Sequence, residues 1–388
     1  MHMKDEEILN EFAETRNLSQ NTKILYRYWF KNYTEFTGKT LSELLEEAEM
    51  EEEQGVRWKK RKLKKRLMSY RNHVTSKFMG KSAKTMFNAV KTFYKHHEIE
   101  IHSLPAWNEK KLHNSVVNYS DLPDKDIIRA SLDLGNKMMQ ALILFMSSSG
   151  CARRETLNLT LDDFIQATSE YHNETDIFKV IEKLDDMEDI VPTFRIRRQK
   201  TNKHYIAFCS PEAAQHIINY LKTRGDKLNT TPHEKKLFKT NHTYLNELFQ
   251  ELNAKMGLGK VGIYNRFRSH MLRKFHASQL YNDGCSMEFV DSIQGRGKDS
   301  THSSYFMEDP EKLKQEYIKH LDCLMVKWDS ITYKSPEYLE LETESKEKDE
   351  KIKDYEEIFD KWDETMKNVE EKGKFLDDQL KKMKQMFQ

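Results

Sequence analysis

The sequence predicts a mainly α protein with a small β-sheet, arranged as a helical N-terminal domain, a mixed α/β second domain and a C-terminal helical tail. Three observations carry that expectation. Apolar residues recur three and four apart through most of the chain, one stretch after Val191 switches to a period of two, and charge is segregated along the sequence. At 388 residues there is enough chain for two separate cores. Charged residues make up 33% and hydrophobic residues 37%, so part of the helical structure should be extended and solvated.

The first domain is expected over residues 1–118. Ser19 offers a helix N-cap, Ile24, Leu25, Tyr28, Trp29, Tyr33 and Phe36 follow at helical spacing, and Gly38 closes the helix. Leu41 to Met50 reads as a second helix with an acidic outer face. Between Arg57 and His97 stand 14 Lys or Arg and no Asp or Glu, with Phe87, Val90, Phe93 and Tyr94 at core spacing. So long a run without acid favours phosphate contact over an ordinary solvated face, and such contacts position DNA without reading its sequence. His96-His97 reads as an exposed helix end. The polar stretch from Leu104-Pro105 to Leu122-Pro123 reads as a linker.

The second domain is expected over residues 119–334. Asp121 to Lys125 caps a helix through Ile127, Ile128 and Leu132, and Lys137 to Met146 is apolar nearly all round, as a buried helix is. That helix leads into Ser147-Ser148-Ser149-Gly150-Cys151-Ala152-Arg153-Arg154-Glu155, with a further helix through Leu157, Leu159 and Phe164. Two arginines at a turn between buried helices point to function, the plain alternative being a salt bridge to Glu155. Phe194 and Ile196 alternate with Arg195 and Arg197, Gln199-Lys200-Thr201-Asn202-Lys203 turns, and Tyr205, Ala207 and Cys209 alternate back: a β-hairpin with lysine at its tip.

Several function classes are excluded. No apolar run approaches the roughly 20 residues that span a bilayer, and the N-terminus lacks a signal-peptide core, so an intracellular, cytoplasmic and nucleoid-associated protein is expected. Cys151, Cys209, Cys285 and Cys323 form no Cys-x-x-Cys pair, which argues against a zinc knuckle or a disulfide framework. Gly257-Leu258-Gly259-Lys260-Val261-Gly262 matches a dinucleotide fingerprint but follows the helical segment Tyr244 to Met256, and so reads as a helix cap and loop. Neither a metal, a nucleotide nor another cofactor is expected.

The stretch from His270 to Tyr305 carries the chemistry. His270 and Arg273 lie three apart, on one helix face, where both can address one anion. Gln294-Gly295-Arg296 adds a second arginine after a glycine turn, and Tyr305 follows nine residues later. Cationic donors converging near a tyrosine suit phenolate attack on a phosphodiester, in which charge builds on the non-bridging oxygens.

Together these motifs resemble the tyrosine recombinases, the phage integrase family, and within it the branch found in archaeal genomes and mobile elements. The resemblance covers about residues 8–330. It implies a helical core-binding (SAM-like) domain over 1–118 and a mixed α/β catalytic domain over 119–334. It also implies Arg153 as first catalytic arginine, Lys200 as hairpin lysine, His270 and Arg273 as the His-x-x-Arg pair, and Tyr305 as nucleophile. Arg296 would stand where the family usually has His or Trp, and Glu155 would brace the first arginine. The family's Gly-x-Arg-x-x-Glu is here Gly150-Cys151-Ala152-Arg153-Arg154-Glu155, which leaves Arg154 open as the first arginine. Arg57, Lys59, Lys60, Arg61, Lys64, Lys81 and Lys84 are the expected DNA contacts.

The resemblance implies site-specific integration or excision of a mobile element through a 3′-phosphotyrosyl intermediate, on double-stranded DNA and as a homo-multimer, a tetramer. Alternatives are a chromosome-dimer resolvase of the same family or a non-catalytic DNA-binding accessory protein. In the tail, residues 335–388, Ile352, Tyr355, Phe359, Trp362, Met366, Val369, Leu376, Leu380, Met383 and Phe387 form a heptad-like seam, either a coiled coil or one helix packed back on the protein. From Glu337 onward, 17 acidic residues face 11 basic ones, a net of −6 that leaves about +7 on the rest of a chain whose total is +1. A basic body with an acidic tail is compatible with DNA binding.

Overall fold

A computed structural model describes residues 3–108, 112, 117–198, 202–225, 228, 234–296 and 309–326. Lys200, Tyr305 and the tail from residue 335 lie outside the described residues. The chain separates into two compact units, Met1–Asp121 with Leu258–Arg266, and Leu122–Gly257 with the chain from Phe267 onward.

The first unit is helical: α1 (Met3–Thr15), α2 (Gln20–Thr37), α3 (Leu41–Glu53), α4 (Lys62–Lys77) and α5 (Gly80–His96). Ser19 caps α2 by accepting from the Thr22 amide, and Gly38 closes it in the left-handed region. Thr40 and Glu43 form a reciprocal capping box on α3. Phe12, Phe30, Tyr33, Leu67, Tyr70 and Phe93 are buried together, and the hydroxyls of Tyr33 and Tyr94 meet at 3.1 Å inside that core. Ile24, Leu25 and Tyr28, at helical spacing with the core residues of α2, lie instead on its exposed face. The apolar residues of α2 span more than one stripe, and spacing alone cannot say which stripe is inward.

The basic run breaks into a 3-10 turn, Trp58–Lys60, followed by α4. The stretch expected as a loop after residue 257 contains a short hairpin, β3 (Lys260–Val261) with β4 (Tyr264–Asn265), paired Lys260 to Asn265 and Val261 to Tyr264. Arg266 ties it down by donating to the Ser120 carbonyl at 2.7 Å.

In the second unit, α6 (Lys125–Leu134) leads into α7 (Lys137–Ser149), which packs against α11 (Pro211–Arg224) and α13 (Ser269–Asn282). Helix α7 runs three residues past the expected end because its buried serines satisfy their own hydroxyls. Ser147 and Ser148 donate to the Leu144 carbonyl at 3.1 and 2.7 Å, and Ser149 donates to Phe145 at 2.6 Å. The single helix expected through Leu157 and Phe164 is two, α8 (Arg153–Asn158) and α9 (Leu161–Ala167). They divide because Leu159 and Leu161 exchange main-chain hydrogen bonds with the 235–237 segment, while Thr160 caps α9.

The hairpin forms as expected, β1 (Thr193–Arg198) antiparallel to β2 (Lys203–Phe208), with Arg198 opposite Lys203. Helices α10 (Ile177–Leu184), α12 (His242–Lys255) and α14 (Met287–Ile293) and the helix Pro310–Lys319 complete the unit. Among the described residues no helix is long and apolar enough to cross a membrane.

Candidate active site

The site is built where α13 begins. The Phe267 amide donates to Asn253 Oδ1 at 2.7 Å, fixing how the chain enters α13, and His270 and Arg273 follow on its first two turns. Arg273 is 7% exposed, yet its guanidinium has no carboxylate partner among the described residues. It donates Nη1 to the Gly150 carbonyl at 2.6 Å and Nη2 to the Gln294 carbonyl at 2.8 Å. Two of its five N–H groups are thus committed to neutral acceptors, which orient the fork but leave its charge uncompensated. A buried cation in that state is costly and is stabilised by an incoming anion.

Further cations surround it. Burial lowers the pKa of Arg273, and the nearby charges of Arg296 and Arg198 add to the effect. Arg198 donates to the Gly295 carbonyl, while Arg296 is held by Asp291, Nη1 to Oδ1, at 3.1 Å. His270 stands exposed beside them. Desolvation, then the charges of Lys274, Arg268, Arg273 and Arg296, lower its pKa below the ordinary imidazole value. A neutral imidazole at the rim of an anion site is suited to accept a proton.

Two glycines allow this close packing. Gly150 has φ of +64°, and a Cβ there would stand 2.5 Å from His276 Nδ1. Gly295, at φ +59°, would drive a Cβ into the Tyr205 ring. Neither position admits a side chain.

The structure brings together His270, Arg273 and Arg296, but not all the predicted residues. Arg153 opens α8 and donates to Asn246 on α12, and Arg154 is exposed. Glu155 is buried with Oε2 lacking a hydrogen-bond partner, and among the described residues it pairs with neither arginine. It lines a cavity of about 430 Å³ beside the hairpin, together with Asn158, Asp163, Arg195, Arg197 and His204. Arg198 was not foreseen, although the alternation that turns Phe194 and Ile196 inward puts it on the same side. Neither His276, bonded to Gln294, nor Tyr205, whose ring stands against Gly295, was foreseen, since nothing in their sequence neighbourhood marks those contacts.

In the first unit Arg57, Lys59, Lys60 and Lys81 are exposed, and Lys64 and Lys84 are partly buried. Arg61 is a correction. It is buried, bonded to Glu52 at 2.5 Å and to the Val56 carbonyl at 2.9 Å, so its charge serves the fold. Among the described residues no cluster of His, Cys, Asp or Glu is placed to hold a metal ion.

The phage integrase family matches residues 126–312, which span every residue of this cluster. Those residues form a phage integrase family domain. The protein is therefore a tyrosine-type site-specific recombinase. No curated protein matches the sequence. Among solved structures, the recombinase is similar to XerA recombinase at 17% identity, covering 82% of this chain and 98% of that one, with a TM-score of 0.33. It is similar to a lambda integrase dimer bound to a COC′ core site at 12% identity, covering 85% and 80%, with a TM-score of 0.49. Similarity to the Tn1549 transposon integrase in complex with circular intermediate DNA is 14%, covering 80% and 98%, with a TM-score of 0.46.

Proposed function

We propose that this recombinase cleaves and rejoins double-stranded DNA to integrate or excise a mobile element, and that it groups with the recombinases of archaeal genomes and mobile elements. The observation that carries the chemistry is the buried Arg273 guanidinium, which has no carboxylate partner among the described residues and stands among further cations. A scissile phosphate satisfies that charge. Arg273 and Arg296 bind its non-bridging oxygens, and Arg153 or Arg154 joins them when DNA is bound; one such donor typically supplies on the order of 3 kcal/mol to the transition state.

The Tyr305 hydroxyl attacks phosphorus and its proton passes to His270. The bond to the 5′ oxygen breaks as the P–O bond to tyrosine forms, leaving a 3′-phosphotyrosyl link. Lys200 gives the departing oxygen a proton, releasing a 5′-hydroxyl. A partner strand's 5′-hydroxyl then reverses the step, and because the phosphotyrosyl bond conserves the energy of the diester, no nucleotide hydrolysis is needed. Once DNA has drawn the first arginine in, Glu155 braces it.

Residues 1–118 act as a core-binding domain in which Arg57, Lys59, Lys60, Lys64, Lys81 and Lys84 contact phosphates, and residues 119–334 as the catalytic domain. Exchange between two duplexes cuts four strands, so four subunits assemble on the DNA as a homo-tetramer. The acidic tail over 335–388 supports that assembly.

The test is recombination between two plasmids carrying the DNA that flanks the gene, in buffer with chelator and without nucleotide. Recombinant product on those flanks supports the proposal. Product only on a fixed chromosomal site elsewhere assigns a chromosome-dimer resolvase, and tight binding without product on either assigns an accessory protein.

A further inference from the structure

The arginine cluster is held by a side chain that the reaction itself does not use. Gln294 caps the C-terminus of α14, and its amide Nε2 donates both to the Arg273 carbonyl at 3.2 Å and to His276 Nδ1 at 2.8 Å. Its main-chain carbonyl accepts from Arg273 Nη2. Gln294 and His276 are each 0% exposed. Two acceptors on one nitrogen fix the orientation of the amide, and they require His276 to carry its proton on Nε2. That Nε2 is buried without a hydrogen-bond partner among the described residues, and the His276 ring lies near the main chain of Ser148. The Ser148 carbonyl in turn accepts from Tyr317 at 2.9 Å. Tyr317 belongs to the helix Pro310–Lys319, which begins five residues after Tyr305.

We propose that Gln294, oriented by His276, is the positioning residue that sets Arg273 and Arg296 in register for one phosphate; this rests on the recombinase reading above. The inference follows from connectivity. Arg273 sits on α13 and Arg296 lies two residues beyond Gln294, so the side chain that bonds to α13 at two points also leads directly into the second arginine. A misplacement of about 1 Å in such a pair is enough to slow a reaction by on the order of 10²-fold while binding is kept.

The test compares Gln294→Leu, His276→Leu and His276→Asn in the full chain. Leucine fills much of either volume without donating or accepting, whereas asparagine offers an oxygen close to where Nδ1 stands. Cleavage of a nicked duplex is followed in single turnover at saturating protein, with DNA affinity and thermal unfolding measured beside it. Gln294→Leu is expected to lose about tenfold or more in rate with Kd within about twofold, and His276→Asn to recover most of what His276→Leu loses. Unchanged rate in Gln294→Leu overturns the proposal, as does equal loss in the two His276 variants. Should Gln294→Leu fail to fold, the His276 pair carries the test.

The nitrogen resonance of the Arg273 guanidinium gives a second readout that does not depend on catalysis. It is expected to stay sharp in the unaltered protein and in His276→Asn, and to broaden in Gln294→Leu. An unchanged signal in Gln294→Leu overturns the proposal whether or not the protein cuts DNA. A signal that responds as expected, in a protein that never links to DNA, overturns the recombinase reading alone.

Discussion

Arg273 donates Nη2 to the main-chain carbonyl of Gln294 at 2.8 Å, and the Gln294 amide donates back to the main-chain carbonyl of Arg273 at 3.2 Å. This reciprocal pair fastens α13 to the end of α14 and gives the Arg273 guanidinium its orientation. Fold and chemistry therefore depend on the same bonds, and each can be separated by substitution.

Arg273→Ala removes both the phosphate donor and the donor to two buried carbonyls. Single-turnover cleavage is expected to fall on the order of 10²- to 10³-fold, and urea unfolding to show a loss of about 1–3 kcal/mol. Arg273→Lys keeps the charge but has no fork to reach both Gly150 and Gln294, so its cleavage rate should remain well below that of the unaltered protein.

Gly150→Ala tests the close approach of the turn to α13. A Cβ there meets His276 Nδ1 at 2.5 Å and Gln294 Nε2 at 2.7 Å, in a backbone with φ of +64°. A loss of about 2–4 kcal/mol is expected in urea unfolding, combining left-handed strain with overpacking. Gly38→Ala has a similar φ of +67° with open space around it, so it should cost only about 1 kcal/mol.

Stability should depend on pH through His276. Burial, and then the charges of Arg273 and Arg296, push its pKa from 6.5 down to about 3. Below the ordinary imidazole value the unfolded chain binds a proton that the folded chain refuses. The stability that rests on the neutral ring is therefore complete above pH ~6.5 and lost as pH falls, by up to ~1.4 kcal/mol per unit. Urea midpoints from pH 7 to 4 should show this slope, and His276→Asn should reduce it by about one proton's worth.

The exposed lysines of the first unit should act on affinity alone. Replacing Lys59 and Lys60 with alanine is expected to weaken DNA binding and to reduce the slope of log affinity against log salt by about 1 for each phosphate no longer neutralised. Cleavage at saturating protein should be unchanged. Arg61→Ala should instead destabilise the fold, because its partner Glu52 is left without its buried cation.

The helices were legible in the sequence wherever cap and periodicity agreed. Ser19 and Gly38 mark ends that the structure keeps, and the cap read over Asp121 to Lys125 falls at Asp124, whereas α7 continues past Met146 to Gly150. The break between α8 and α9 was not legible, because it depends on main-chain pairing with residues some seventy-five positions away. Nor was the inward face of α2, where Ile24 and Tyr28 follow the same spacing as Phe30 yet face outward. At the site, His270, Arg273 and Arg296 were visible through spacing. Gln294 enters the sequence pattern only as the neighbour of Gly295, and His276 does not enter it at all, since a buried hydrogen bond between side chains 18 residues apart leaves no periodic signal.

Covalent capture tests the central claim most directly. The purified protein is incubated with supercoiled plasmid bearing the DNA that flanks its gene, in chelator, and stopped with detergent, beside Tyr305→Phe. Protein-linked, nicked DNA that disappears in Tyr305→Phe, while binding is retained, is the predicted result. Linkage that persists in Tyr305→Phe, or no linkage on long flanks and on a nicked duplex that the protein binds tightly, would contradict it.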